Sequence, residues 1–192
     1  MRASEVITAL AMTAGRGPAA RVIADAAALT GDDQVADIGC GPGAAVREAA
    51  RRGASATGID PSPAMLWLAR RISSLRHPAG VTWAEGRAEA IPLPDGYATV
   101  VWALSSFHHW RDQAAGLAEI HRVLGPGGQL LLAEWLFSAG GRGHAGHGLT
   151  RARADQLGGQ LTSTGFANVR TEIRKAGRRT LVTVCGQRPA AG

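Results

Sequence analysis

Short apolar runs alternate with segments of helical periodicity along most of the chain. Strands are predicted for the run that begins at Val35 and for residues 54–59, 81–84, 99–104 and 129–135. Between them, residues 44–52, 62–72 and 112–124 have the spacing, capping residues or terminal glycine typical of helices. Strands that are almost wholly apolar and alternate with helices predict a parallel sheet that is covered on both faces.

The two ends of the chain follow different patterns. Apolar positions 3, 6, 7, 10, 11 and 14 predict an amphipathic helix that ends near residues 15–17, and Pro18 then begins a second helix that runs through Leu29. Residues 138–148 contain five glycines and two histidines and are expected to form a mobile loop. A helix over 150–164 and a hairpin of strands 169–173 and 180–185 follow.

Composition restricts the class of protein. The 192 residues fit one domain, and two cysteines are too few for a disulfide framework. No apolar run has the length of a membrane span, which predicts a cytoplasmic protein without membrane contact. The formal charge of +6 comes almost entirely from scattered arginines, with one cluster at 174–179. Nucleic-acid binding is therefore not expected, because no basic and aromatic stripe accompanies the charge.

The run Val35–Gly43 (VADIGCGPG) has the pattern of a strand, a glycine turn and the beginning of a helix. Glycines in such a turn let backbone amides approach a ligand closely. Asp60 comes twenty-one residues after Gly39, where an α/β sheet places an acid beside a ribose. The turn predicts a nucleoside site, and by itself also satisfies the dinucleotide pattern.

Two further segments narrow this choice. Gly58–Leu66 (GIDPSPAML) follows the glycine turn, and Glu119–Gly128 (EIHRVLGPGG) precedes the fifth strand. Together with Asp37 these segments resemble the class I S-adenosylmethionine-dependent methyltransferases, in the group that methylates small molecules. The resemblance implies an α/β, Rossmann-like, doubly wound sheet of seven strands, mostly parallel, with an antiparallel C-terminal hairpin.

The resemblance also implies the layout of a single methyltransferase domain. N-terminal helices occupy residues 1–30, the cofactor-binding core 31–136, a mobile loop 137–149, and the C-terminal helix and hairpin 150–192.

The cofactor contacts that the resemblance implies fall on twelve positions. Asp37 would hold the ammonium group of S-adenosylmethionine, the glycine turn would face its methionine part, and Asp60 would accept from both ribose hydroxyls. Apolar residues after Asp60 and the 86–89 segment would contact the adenine. The twelve positions are Asp37, Gly39, Cys40, Gly41, Asp60, Pro61, Met65, Arg87, Ala88, Glu89, Ala103 and Leu104.

A purely structural interpretation of Asp37 and Asp60 stays open. The structural alternative for Asp37 is to cap the following turn, and that for Asp60 is to begin its helix. Arg87 stands where the family usually has an acid, which leaves Glu89 as the acidic partner of adenine. Ala98 and Thr99 replace the family's usual aromatic and aspartate at the beginning of the fourth strand.

A hydroxyl acceptor needs a group to take its proton, and histidine is suited to this near neutral pH. The candidate bases are His109 and His144, which follow predicted strands, and Glu134, which lies at the end of one, with His108 beside them; all are at the carboxyl ends of strands. The expected reaction is O-methylation of a small or glycosidic acceptor. His144 and His147 have a spacing that permits a divalent metal without indicating one.

Three alternatives remain. An NAD-dependent oxidoreductase has a similar fold, a regulatory module could keep the cofactor site without turnover, and the basic cluster leaves room for an RNA or protein methylase. The first helix could cover the site or build a homodimer.

Overall fold

The computed structural model describes residues 16–75, 79–137 and 148–190. The strands are Gln34–Ile38 (β1), Ser55–Asp60 (β2), Val81–Glu85 (β3), Ala98–Leu104 (β4), Leu124–Trp135 (β5), Ala167–Ala176 (β6) and Arg179–Gln187 (β7). The helices are 16–26 (α1, as far as it is described), Ala44–Arg51 (α2), Pro63–Ser74 (α3), Gln113–Val123 (α4) and Arg151–Ser163 (α5), with a 3-10 turn at Phe107–His109.

The seven strands form one sheet in the order β3-β2-β1-β4-β5-β7-β6. The first five strands pair in parallel, whereas β7 is antiparallel to both β5 and β6. One buried cluster lies between the sheet and α1, α2 and α3, and a second lies between the opposite face and α4 and α5. The predicted fold class is therefore confirmed. In the described ranges no helix is long and apolar enough to cross a membrane.

Local sequence signals account for several helix ends. Ser62 and Asp112 each accept a hydrogen bond from a backbone amide three residues later, and Thr150 does the same for α5. Pro63 occupies the first turn of α3. Gly53 ends α2 with a φ of 92°, a left-handed conformation that favours glycine.

Two boundaries differ from the prediction. The second helix is predicted to run from Pro18 through Leu29, whereas residues 16 and 17 are already helical and α1 stops at residue 26. β5 begins at Leu124, because Gly125–Gly128 bulges against β4 while staying in the sheet. The amide of Arg188 donates to the Gly128 carbonyl at 2.8 Å, and Gly127 donates to Arg188 at 2.9 Å. The predicted first helix at 3–14 and most of the 138–148 loop lie outside the described residues.

Arg122, in the last turn of α4, forms several hydrogen bonds with the loop that connects β3 to β4. Its guanidinium forms two hydrogen bonds with the Glu119 carboxylate, at 2.7 and 2.8 Å, and one with Asp95 at 2.7 Å. It also donates to the carbonyls of Ile91 and Leu93 at 3.0 and 2.9 Å. The side chain thus fixes the proline-rich loop that connects β3 to β4.

We expect Arg122→Ala to destabilise the fold by about 2 kcal/mol and to lower Tm by about 4–8 °C, because two loop carbonyls lose their donor. Arg51→Ala is the matched control, since Arg51 forms an exposed ion pair with Glu48 that should contribute less than about 1 kcal/mol. Thermal unfolding followed by circular dichroism measures both. Equal shifts for the two variants would contradict the structural role of Arg122.

Candidate functional site

A cavity of about 350 Å³ lies at the carboxyl ends of the parallel strands. This volume is within the range of small-molecule sites, and the position is the edge at which α/β sheets bind ligands. Its lining residues come from α1, the glycine turn, the ends of β2 and β3, and the segment after β4. They are Arg16, Ile38, Gly39, Gly41, Pro42, Asp60, Pro61, Met65, Gly86, Arg87, Ala88, Glu89, Ser105, Ser106, His109, Trp110 and Arg111.

The glycine turn after β1 lies in close contact with its neighbours. Gly39 has a φ of 71°, and a Cβ there would lie 2.5 Å from the Cβ of Ser106. Gly43 has a φ of 77°, and a Cβ there would lie 2.2 Å from the Trp83 ring. Side chains at either position would require both a rare backbone conformation and displacement of a packed residue. The turn therefore presents bare backbone to the cavity.

Asp60 holds this turn to the end of β2. One carboxylate oxygen accepts from the Gly41 amide at 2.8 Å, and the other accepts from the Ser62 amide at 2.9 Å. Burial raises the pKa of the carboxyl, while the two amide hydrogen bonds and Arg16 oppose this shift. Each oxygen retains a further lone pair for another donor, and Asp60 lines the cavity. One oxygen thus holds Ser62, the N-cap of α3, and the other organises the glycine turn.

Asp37 has an unusual environment for a carboxyl group. It is 2% exposed, and its Oδ1 has no hydrogen-bond partner among the described residues. Burial raises the pKa of Asp37 to about 7, Arg16 opposes this shift, and Asp60 adds to it. The buried indole N–H of Trp102 lies close enough to the carboxyl to lower this pKa, but it forms no hydrogen bond of normal geometry. A buried carboxyl oxygen without a donor is costly, and Oδ1 is therefore an acceptor suited to a cationic or N–H group of a ligand.

Arg16 is the main site residue that the sequence patterns did not reveal. It lines both the large cavity and a smaller one that Asp37, Cys40 and Leu104 also line. Burial lowers the pKa of its guanidinium, and the charges of Asp37, Glu134 and Asp60 oppose that shift. A Cβ on Gly41 would lie 3.1 Å from its Nη1. α1 therefore places a cation directly over the glycine turn.

The 86–89 segment also lines the cavity, together with Pro61 and Met65. The Glu89 carboxylate accepts from the amides of Arg111 and Asp112, at 2.7 and 3.1 Å through one oxygen. Backbone donors that favour the carboxylate form lower the pKa of Glu89 despite its partial burial. Glu89 thus has a structural role as well as its place in the cavity wall.

The remaining predicted cofactor residues are placed differently. Ala103 is fully buried in the core beneath α4, and it lines neither cavity. Leu104 lines only the smaller cavity, as Cys40 does. Two neighbouring residues from the same segment, Ser105 and Ser106, line the large cavity instead.

Three of the candidate residues, His108, His109 and Glu134, lie close together at the ends of β4 and β5. His108 Nδ1 lies 3.0 Å from Oε2 of Glu134, whose side chain is fully buried and whose other oxygen has no hydrogen-bond partner in the described ranges. His109 is exposed, lines the cavity and has its ring centroid 4.0 Å from that of His108. The structure therefore pairs Glu134 with His108 rather than with His109.

The loop histidines, His144 and His147, lie outside the described residues. No cluster of three or more metal-ligating side chains is present in the ranges 16–75, 79–137 and 148–190. The roles predicted for these loop histidines thus remain predictions.

The buried Asp37 generates a prediction about stability. Because its pKa is higher in the folded chain than the ordinary value of 3.8, the carboxyl destabilises the fold increasingly as pH rises from about 4 to about 7. Asp37→Asn should therefore raise Tm of the ligand-free protein by roughly 3 °C or more above about pH 7, and by less near about pH 5.

Asp32→Asn is the control for this measurement, because Asp32 is exposed. Differential scanning calorimetry of both variants across this pH range provides the comparison. A lower Tm for Asp37→Asn at every pH would mean that attraction between Arg16 and Asp37 outweighs the penalty of burial.

Comparison with known proteins agrees with this site. A family model described as "Methyltransferase domain" matches residues 36–132, just over half of the chain. The uncharacterized methyltransferase YdaC of Bacillus subtilis (strain 168) is 28% identical over 165 residues, which cover 84% of this chain and 87% of that protein. The 27-O-demethylrifamycin SV methyltransferase of Amycolatopsis mediterranei (strain S699) is 35% identical over 113 residues, or 56% of this chain and 40% of that enzyme. The chain thus spans less than half the length of the rifamycin enzyme.

Solved structures share the fold. The crystal structure of an S-adenosylmethionine-dependent methyltransferase from Aquifex aeolicus superposes with a TM-score of 0.71 at 18% identity, covering 88% of this chain and 89% of that one. The family match, the sheet order and the glycine turn agree with one another. The chain belongs to the class I S-adenosylmethionine-dependent methyltransferases.

Proposed function

We propose that the protein transfers the methyl group of S-adenosylmethionine to a hydroxyl of a small or glycosidic acceptor in the cytoplasm. The observation that carries this proposal is the pair formed by His108 and Glu134, 3.0 Å apart at the same sheet edge as the cavity. Such a pair has the arrangement of a general base and the carboxylate that orients it. The name of the rifamycin relative describes methylation of an O-demethyl compound, which also favours oxygen as the acceptor atom.

The residues around the cavity fit the cofactor. The unpartnered Oδ1 of Asp37 offers an acceptor for an ammonium group, and Arg16 offers a donor for a carboxylate. Asp60 is available to the ribose hydroxyls, with Pro61 and Met65 as apolar contacts for the base. Both charges of an amino acid would thus meet a complementary side chain at the glycine turn.

S-adenosylmethionine supplies a methyl group on a sulfonium sulfur, which accepts the electron pair of the broken carbon–sulfur bond. The protein must then hold the acceptor, exclude water and remove the hydroxyl proton. We assign the removal of this proton to a ring nitrogen of His108. The carboxylate of Glu134 orients the ring through Nδ1 and stabilises the imidazolium that forms. His109 and His144 remain alternative bases in this proposal.

The cofactor assignment predicts that Arg16→Ala and Asp37→Asn each weaken the binding of S-adenosylhomocysteine by about tenfold, because each removes one charged partner of the amino acid end. Arg21→Ala is the matched control, since Arg21 is an exposed arginine of the same helix. Isothermal titration calorimetry measures the three dissociation constants. Unchanged affinity in both site variants, or a thermal shift with NAD instead, would reject this placement of the cofactor.

The base assignment predicts that His108→Ala lowers kcat by about 10²-fold or more, and that Glu134→Gln lowers kcat with little change in S-adenosylhomocysteine affinity. Glu85→Gln, an exposed acid in β3, should leave kcat unchanged.

Turnover with labelled S-adenosylmethionine and fractionated cell metabolites provides the assay for these variants. A near-normal rate for His108→Ala, together with a large loss for His109→Ala or His144→Ala, would transfer the role to that residue. Tight cofactor binding without methylation of any fraction would favour a regulatory module.

A further inference from the structure

The tip of the β6–β7 hairpin carries three exposed cations, Lys175, Arg178 and Arg179. Among the described residues none of the three has a carboxylate within ion-pair distance; the one acid of β6, Glu172, pairs with Arg170 and Arg174. Unpaired exposed charges of one sign repel each other, so their concentration in one turn indicates an anionic ligand. We call these three residues the tip cations.

Sheet topology places the tip cations at the reactive edge. Since β7 is antiparallel to β5, it begins where β5 ends, and Trp135 pairs with Leu181 while Glu134 pairs with Val182. Arg179 is three residues from Val182, so it lies about 10 Å along the strand from Glu134 and one strand spacing to the side. The backbone of the tip therefore lies at the same sheet edge as Glu134 and His108, with the Arg179 side chain on the face of Trp135, opposite to that of Glu134.

The tip is held in a defined position. The guanidinium carbon of Arg179 lies 3.8 Å from the centroid of the Trp135 ring, which restricts the side chain by a cation–π contact. The carbonyl of Thr180 accepts from the Leu136 amide at 2.9 Å, and a Cβ on Gly177 would lie 3.7 Å from Pro18 in α1. The hairpin end, the end of β5 and the beginning of α1 thus form one rim.

Protection of the sheet edge does not explain this charge. β6 is an edge strand, and charged side chains along its length discourage pairing with other chains. Arg170 and Arg174 serve that purpose within the strand and are neutralised by Glu172. Arg178 lies in the turn, and Arg179 begins the inner strand β7, so neither is needed to block the edge.

We propose that the tip cations form a subsite for an anionic group of the acceptor, either a phosphate or a carboxylate, at the same sheet edge as His108. This inference rests on the proposed function, because it takes the edge near His108 as the acceptor side. The tip cations would attract an acidic group on a sugar or other small molecule, and this attraction would orient its hydroxyl toward His108.

The test titrates inorganic pyrophosphate, and separately citrate, into the complex of the full chain with S-adenosylhomocysteine at low salt. Binding should weaken roughly fivefold in Arg178→Ala and stay within about twofold in Arg71→Ala. The latter removes an exposed arginine from α3, on the part of the sheet away from the hairpin. Tighter binding of pyrophosphate identifies a phosphate subsite, and tighter binding of citrate identifies a carboxylate subsite.

Equal effects of Arg178→Ala and Arg71→Ala would overturn the proposal, since binding would then follow net charge alone. Binding of an RNA oligonucleotide that depends on Arg178, without binding of either small anion, would overturn it in favour of a nucleic-acid surface. Neither titration needs turnover, so the subsite can fail while cofactor binding and methyl transfer succeed. Absence of methyl transfer despite specific anion binding would instead reject the proposed function.

Discussion

A carboxyl group buried at the end of a central strand is the constraint on which the rest of the site depends. β1 lies between β2 and β4, so Asp37 cannot reach water, and its Oδ1 has no donor in the described part of the chain. A charge in such a position persists only if a partner compensates for its lost hydration. The fold supplies Arg16 from α1 as one such partner. The ammonium of the methyl donor is the second partner in our proposal.

The predictable part of the fold depends on signals that are local in sequence. The glycine turn, the Ser62 cap with Pro63, and the glycine that ends α2 each act within a few residues, and the structure confirms them. The β5 boundary depends instead on contacts distant in the chain, because Arg188 supplies the hydrogen bonds that keep the Gly127–Gly128 bulge in the sheet. Sequence periodicity contains no information about such a partner.

The residues of the site also divide into those that local sequence predicts and those that depend on contacts distant in the chain. Asp60 was predictable because its spacing from Gly39 is a property of the strand–turn–helix unit. Arg16 was not, because its position over the turn follows from how α1 packs on the sheet. The choice between His108 and His109 was equally inaccessible, since adjacent residues in a 3-10 turn point in different directions. Only the three-dimensional structure shows which of them meets Glu134.

In the proposed function, the methyl-donor side and the acceptor side of the site form one mechanical unit. Ser106 donates to the Ile38 carbonyl at 2.6 Å, and its Cβ occupies the space that a side chain on Gly39 would need. Ser105 has a φ of 53°, a conformation that non-glycine residues seldom adopt, and it directs the chain toward His108. Because the glycine turn and the segment with His108 are in direct contact, neither can shift without the other. A transfer that depends on the alignment of donor and acceptor benefits from this rigidity, since the protein then fixes the relative position of the two groups before either ligand binds.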